Sequence, residues 1–373
     1  MSVKGLRILL TGDTEGGVWT FALELAEGLL NRGADVCLAT FGTTVTDSQK
    51  WSASEIPGLR WLHHNSKLEW MHEPWADIER AGHWLNEIAR QWQPDLIHLN
   101  TLCHAALPWN VPVVITHHSS VASWWHAVKG SPLPVDWRRY QREVERSLRS
   151  ATMISAPSHA ALAAIARDYN VDIPEARAVH NGLSSDGFRV GEKEEFILSA
   201  GRLWDEGKNV RVLAEVAPRL PWPVYLAGDS QAPDGTTTPL TGCHLLGRLN
   251  SAELSALYSR AAIYALPARY EPFGLSILEA ARSGCALLLG DIPSLREIWQ
   301  DAAAFVPPDD IPSLEAALRH LIADPLYRAR MSQLAFRRAH EFSQSRMVDG
   351  YLSLYQSALA KHERDRGRQA CAS

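Results

Sequence analysis

The sequence reads as an α/β protein built from two doubly wound, Rossmann-like domains, and three observations predict this. Short apolar runs alternate with helical apolar periodicity along the whole chain, and the order βαβα calls for parallel sheets with helices on both faces. The rhythm stops once, in the turn-rich stretch His180–Lys193, and then restarts. With 373 residues the chain is about two to three times a usual domain of 100–200 residues, enough for two separate cores.

The first strand is Arg7–Leu10. Its apolar run is too short for the hydrophobic segment of a signal peptide and is interrupted by Arg7. Strands follow at Asp35–Ala39, Leu96–Leu99, Val111–Ile115, Thr152–Ser155 and Ala176–Val179. Between them, Phe21/Leu25/Leu29, Ile78/Leu85/Ile88 and Tyr140/Val144/Leu148 each fall on one helical face. Asn181-Gly182, Ser184-Ser185-Asp186-Gly187 and Gly191 mark the junction, dividing the chain into residues 1–187 and 188–345. Beyond it, strands at Phe196–Ala200, Pro223–Ala227, Ile263–Leu266 and Ala286–Leu289 alternate with helices near Val210–Ala217, from Ser251 and through Leu278. Pro312 to Ala360 reads as helical, and the charged run His362–Arg368 as a frayed tail.

Composition narrows the function. A net charge of −5 argues against nucleic-acid binding, which needs a basic face to neutralise phosphates. Five scattered cysteines without a C-x-x-C pair suit a reducing cytosol, not a disulfide scaffold or a zinc site. No apolar stretch approaches the ~18 residues of a membrane span. Fourteen tryptophans stand out, eleven of them before residue 140.

The most informative segment is Arg269-Tyr-Glu271-Pro-Phe-Gly-Leu-Ser-Ile-Leu-Glu279, directly after a strand. Gly274 allows close backbone approach at a helix start, where free N–H groups and the positive helix end form an anion site. Glu279 falls about one and a half turns into that helix. Two carboxylates beside an anion site are poor phosphate ligands and good acceptors for hydroxyls, each charge-assisted bond being worth ~1.5–3 kcal/mol. A nucleotide sugar, with ribose and hexose hydroxyls around a diphosphate, matches this layout. The same spacing also fits a glutamate near a helix start plus a satisfied buried one.

The run Leu257-Tyr258 to Ser283-Gly284, containing Glu271 and Glu279, resembles glycosyltransferase family 4, and Pro293-Ser-Leu-Arg-Glu297 and Phe305-Val-Pro-Pro-Asp309 extend the match. The resemblance covers most of the chain, most specifically after residue 180. It implies retaining, nucleotide-sugar-dependent transferases of GT-B architecture, two such domains facing a central cleft, and the E-x7-E signature. By it, Glu271 holds a donor-sugar hydroxyl, the Phe273, Gly274 and Leu275 amides bind sugar or distal phosphate, and Glu279 accepts from the ribose. The sequence departs from the family at Ala286, often Pro there, and at Leu289-Gly290, where a smaller residue is usual.

Arg202 and Lys208, in Gly201-Arg-Leu-Trp-Asp-Glu-Gly-Lys-Asn209 after a strand, can meet a diphosphate as a fork and a point charge, or simply be solvated. In the resembled family this element stabilises the leaving nucleoside diphosphate. Gly16-Gly17, between the first strand and first helix, allows amides to approach a phosphate or an acceptor, and equally suits a tight turn. Family members carry a similar Gly-Gly loop. Thr116-His117-His118 follows a strand end, where open α/β sheets bind ligands, though most histidines are structural or solvated. The family pattern makes His118 the residue that touches the donor sugar, in preference to His117, which is a candidate on the acceptor side. Trp124 and Trp125, just beyond, are candidates for stacking on an acceptor sugar.

The arginines of Trp137–Arg149 suit an anionic acceptor or a membrane surface, or the solvated side of an amphipathic helix. There is no D-x-D or H-E-x-x-H, so no metal and no cofactor are expected, and Arg202, Lys208 and helix dipoles neutralise the diphosphate instead. The expectation is a cytoplasmic, metal-independent retaining hexosyltransferase acting in glycan or glycoconjugate biosynthesis. Its partners are a nucleotide-sugar donor and a carbohydrate or lipid-linked acceptor, with peripheral membrane contact open, and residues 346–362 pack back on the first domain. A sugar-nucleotide epimerase of the same architecture and a non-enzymatic scaffold are the rival readings.

Overall fold

In the computed structural model, which describes residues 3–169, 171–172, 175–232 and 235–372, the chain divides into two compact units. The first comprises Met1–His126, Ser131–Ser184 and Gln344–Ser373; the second comprises Ser185–Ser343 with Ala127–Gly130.

The first unit holds seven strands: β1 (Arg7–Asp13), β2 (Asp35–Gly42), β3 (Arg60–Asn65), β4 (Leu96–Leu99), β5 (Val113–Thr116), β6 (Met153–Ala156) and β7 (Arg177–Ala178). They pair in parallel in the order β3-β2-β1-β4-β5-β6-β7. The second unit holds β8 (Glu194–Ala200), β9 (Val224–Ala227), β10 (His244–Gly247), β11 (Ala261–Leu266), β12 (Ala286–Gly290) and β13 (Ala304–Val306). These are also parallel, in the order β10-β9-β8-β11-β12-β13. Both domains are therefore doubly wound α/β units, as the alternating pattern predicts.

Three strands absent from the sequence reading, β3, β10 and β13, all lie at sheet edges. Interior strands such as β4, β6 and β11 are buried throughout and read as continuous apolar runs, whereas β3 and β10 are largely half-buried or exposed. An edge strand covered on few sides lacks the apolar run that identifies its neighbours. The helical tract after Pro312 is also subdivided, into Ile311–Ala323, Pro325–Ala339 and Gln344–Ala372. The first break falls at Asp324, whose carboxylate caps the next helix by accepting from Tyr327 N (2.9 Å), with Pro325 at the first helical position. The run His362–Arg368, expected to fray, instead continues the last helix to Ala372; its glutamate and three arginines are good helix formers.

That last helix lies in the first unit against the helix Gly17–Asn31. The two approach so closely at Gly28 that a Cβ there would overlap the Val348 side chain. A buried polar chain ties the helix to the sheet. Tyr355 Oη is 2.7 Å from His98 Nδ1, and His98 Nε2 is 2.6 Å from Thr116 Oγ1. Thr116 Oγ1 in turn lies 2.6 Å from Ser155 Oγ and 3.1 Å from Tyr351 Oη. Within the same unit Glu24 accepts from Ser184 N and Gln344 Nε2, each at 2.8 Å.

Burial pushes His98 down to about 3, with the neighbouring His118 adding to the effect. Burial also lowers His104 to about 4, while it raises Glu24 and Glu69 to about 7. A histidine held below its unfolded value contributes stability above about pH 6.5 that is lost as pH falls toward the folded value; the two glutamates act oppositely, favouring the fold at low pH and losing that contribution toward pH 7. Since His117 (about 4) and His118 (about 3) join His98 and His104, the histidines outweigh the glutamates. Urea unfolding should accordingly give a lower stability at pH 5 than at pH 7, and His98→Gln should make that dependence shallower. Equal stability at the two pH values would contradict this.

Candidate functional site

In each sheet the strand order reverses once, and in open α/β sheets such a reversal at the C-terminal edge is where ligands bind. In the second unit the reversal lies between β8 and β11, because β9 and β10 extend one side and β12 and β13 the other. The loop after β8 begins with a backbone-to-backbone approach. Gly201 N donates to Ala227 O (3.0 Å), and any side chain at Gly228 would collide with the Gly201 carbonyl.

Asp205 then organises the loop. One carboxylate oxygen accepts Gly207 N (2.8 Å) and the other accepts Arg202 Nη2 (3.0 Å). Gly207 O accepts Arg269 N (2.9 Å) and Tyr270 N (3.1 Å), stitching this loop to the one after β11. Asn209 sits in left-handed backbone with φ 55°, and its amide donates to Pro267 O (3.0 Å) and Pro308 O (2.7 Å), past the ends of β11 and β13. The loop is thus anchored before it delivers Lys208, whose ammonium pairs with the carboxylate of Glu271.

Glu271 is buried; its second oxygen accepts Phe273 N at 3.3 Å, and its backbone carbonyl accepts Ser294 Oγ at 2.6 Å. Gly274, at φ 89°, opens the helix Leu275–Arg282, which has no side-chain cap and no acidic residue in its first turn. A Cβ at Gly274 would lie 2.5 Å from Ile277 Cδ1 and 3.4 Å from Glu271 Cγ, so a larger residue would strain this turn. Ile277 N and Leu278 N bond back to Gly274 O, each at 3.1 Å, and the positive end of the helix suits an anion. Glu279, half-buried on the same helix, acts on Tyr258 and Tyr264, whose hydroxyls are raised chiefly by burial and further by its charge. Of the residues singled out by sequence, Lys208, Glu271, Phe273, Gly274 and Leu275 therefore gather at one strand-end cluster. Half-exposed Arg202 leaves the same loop held by Asp205, and Glu279 lies deeper along the helix.

In the first unit the reversal lies between β1 and β4. Gly16, at φ 92° and ψ −145°, occupies backbone space open mainly to glycine, and Gly17 starts the following helix; both are exposed. Across the reversal, Asn100 N donates to Thr11 Oγ1 (2.8 Å) and Asn100 Nδ2 donates to Thr11 O (2.6 Å). Asn100 Oδ1 is left as an acceptor, 2.8 Å from His118 Nε2. His118 Nε2 must therefore carry the proton, and Nδ1 presents the lone pair. Phe21 packs edge-on against the ring at 4.3 Å. His117 alternates to the other side of the chain, where it is fully buried, and neither ring nitrogen has a hydrogen-bond partner.

Trp124 and Trp125 lie half-buried on the helix Val121–Lys129, their rings 6.2 Å apart and tilted by 60°. On the helix Arg138–Ser150, Tyr140, Val144 and Leu148 are buried. Arg139 binds Glu79, Arg146 binds Glu143 and Arg149 binds Glu145, so three of the five arginines are paired. Among the described residues, no helix is long and apolar enough to cross a membrane.

Sequence reasoning missed Asp205, Asn209, Ser294 and Asn100. The only local signal was the Asp-x-Gly spacing of Asp205 and Gly207, a turn in which the carboxylate binds the amide two residues on.

Residues 15–186 match the family Glycosyltransferase Family 4, and residues 184–338 match Glycosyl transferases group 1. The chain is a glycosyltransferase of the GT-B type. This glycosyltransferase is 25% identical over 362 residues to a glycogen synthase of Mycobacterium tuberculosis, covering 87% of this chain and 86% of that one. In fold it is similar to sucrose-phosphate synthase from Thermosynechococcus elongatus, with a TM-score of 0.77 and 18% identity over 95% of this chain and 99% of that one. It is also similar to Anabaena HepE, solved in complex with UDP and glucose, with a TM-score of 0.74 and 15% identity over 94% and 100% of the two chains.

Burial first, and the adjacent His117 second, push His118 of the glycosyltransferase down to about 3. Nitrogen-15 NMR of histidine-labelled enzyme should show His118 as the neutral Nε2–H tautomer from pH 8 down to pH 5. Asn100→Leu should remove that tautomer preference and lower stability by about 1–3 kcal/mol, the usual result of leaving a buried donor unpaired. An imidazolium signal at pH 6 in the wild type would refute the assignment.

Proposed function

We propose that this glycosyltransferase moves a hexosyl group from a nucleoside-diphosphate sugar to a hydroxyl of a carbohydrate or lipid-linked acceptor, with retention and without a metal, in glycan or glycoconjugate biosynthesis. The observation that carries the reading is the Lys208–Glu271 pair at the β8/β11 reversal, beside the uncapped start of the helix Leu275–Arg282. A cation and an open helix end suit a diphosphate, and two carboxylates, Glu271 and Glu279 of the E-x7-E pattern, suit sugar and ribose hydroxyls. Residues of the second domain hold the donor, and those of the first, with Trp124 and Trp125 as candidates, take the acceptor; His117, also expected on the acceptor side, is fully buried and is withdrawn from that role. His118 offers Nδ1 to a sugar hydroxyl, and the Gly16-Gly17 amides are free for a phosphate or an acceptor. The UDP and glucose in the HepE complex and the polymer-forming relative support a nucleotide-sugar donor and a glycan product.

Glu271 is poorly set up as a nucleophile, because one of its oxygens is engaged by Lys208 and the other by Phe273 N. Attack on the leaving-group face is the reading this favours. The acceptor oxygen bonds to the anomeric carbon as the bond to the β-phosphate oxygen breaks, and the acceptor proton passes to that phosphate. Arg202 and Lys208 act where negative charge grows on the departing diphosphate, the position at which fixed cations lower a barrier.

Incubation with a panel of UDP-, GDP- and ADP-sugars plus oligosaccharide acceptors tests this. Proton NMR of the product should show the anomeric configuration of the donor. Lys208→Ala should lower kcat/KM by about 10²–10³, comparable to the loss of one strong transition-state donor. Inverted product would overturn retention. A new nucleotide sugar formed without acceptor would favour the epimerase.

A further inference from the structure

We infer that the Lys208–Glu271 ion pair is a selectivity gate, opened readily by an intact sugar nucleotide and held closed against the bare nucleoside diphosphate left after transfer. The inference rests on the nucleotide-sugar reading above and concerns how that site tells donor from spent product.

The two groups that would hold opposite ends of the donor neutralise each other in the free enzyme. Their side chains are only 17% and 9% exposed, so neither is freely exchanged for water. Besides the ammonium, the Glu271 carboxylate accepts only the long 3.3 Å bond from Phe273 N among the described hydrogen bonds. A diphosphate that draws Lys208 away therefore strands a buried carboxylate, and removing one partner of a buried pair is strongly unfavourable because the remaining charge is uncompensated. It also brings further negative charge toward that carboxylate.

An intact donor avoids this. Its phosphates take the ammonium while its sugar hydroxyls donate to the freed carboxylate, so both groups exchange one partner for another. Once the sugar has left with the acceptor, the diphosphate offers no hydroxyl to Glu271. Lys208 is drawn back to its carboxylate, and the product is weakened at the moment it must leave. Exchange of partners needs no rearrangement of the loops, because Asp205, Asn209 and Ser294 hold both residues in place from outside the pair.

The sign of the predicted effect is unusual. Glu271→Gln keeps the shape of the side chain and removes the charge that holds Lys208. Isothermal titration with UDP, GDP and ADP, and with UDP-glucose, GDP-mannose and ADP-glucose, is performed on the wild type, Glu271→Gln, Glu271→Ala and Lys208→Ala, each first checked for a cooperative thermal melt. The expected result is that both Glu271 variants bind the cognate diphosphate about tenfold tighter, equivalent to 1.4 kcal/mol, while the sugar nucleotide binds no tighter. Diphosphate affinity equal to or weaker than wild type in these variants, with binding lost in Lys208→Ala, would overturn the gate while leaving Lys208 as the phosphate ligand. Should neither Glu271 variant fold, the wild type decides: the intact donor must bind at least about tenfold tighter than its diphosphate, and equal affinities would overturn the gate. Failure of every nucleotide to bind the wild type, or unchanged binding in Lys208→Ala, would instead sink the nucleotide-sugar reading itself.

Discussion

Parallel strands all deliver their C-terminal ends to one edge of a sheet, and the strand order must reverse somewhere if helices are to cover both faces. Most of what is chemically notable in this glycosyltransferase follows from that constraint. The reversal between β8 and β11 brings the loops that carry Lys208 and Glu271 to one strand-end edge, where the two side chains pair. The reversal between β1 and β4 likewise frames Gly16-Gly17, Asn100 and His118. Where the strand ends do not diverge, backbones meet instead: Gly201 with Gly228, and Gly290 with Ala268, are approaches that no side chain could share.

The two strand-end sites solve the burial of polar groups differently. In the second unit the solution is ionic, with Lys208 against Glu271 and Arg202 against Asp205. In the first it is neutral, a set of histidine, asparagine, threonine and tyrosine hydrogen bonds in which burial keeps His98 and His118 uncharged. Charged groups recognise charge and can be displaced by it. Neutral donors and acceptors with fixed tautomers recognise hydroxyls, whose hydrogen bonds are directional and carry no net charge.

The interior strands were legible because burial on both faces demands unbroken apolar runs, and the spacing of Glu271 and Glu279 was legible because both lie in one strand–loop–helix segment. The edge strands were not, since exposure removes the run. Nor were Asn209, Ser294 and Asn100, whose bonds reach Pro308, Glu271 and Thr11 across long stretches of chain. A side chain's value as a brace depends on what the fold brings opposite it, and no local pattern records that. For the same reason periodicity could show that the chain ends in a helix, but not that Gly28 lets it lie against the first one.

The tryptophan excess shows how a compositional signal divides once packing is known. Trp84 meets Phe41 edge-on, Trp19 meets Trp61 in the same way, and Trp109 donates to His104 O at 2.9 Å. Arg139 lies over Trp75 at 4.4 Å and Arg7 over Trp92 at 5.0 Å. These rings finish the core or carry cations at its rim, uses that need a broad apolar face and have nothing to do with sugar. Trp124 and Trp125 differ in being half-buried next to each other just beyond a strand end. Their 60° tilt means that they offer two planes and not one platform, so a flat ring can lie against only one of them at a time.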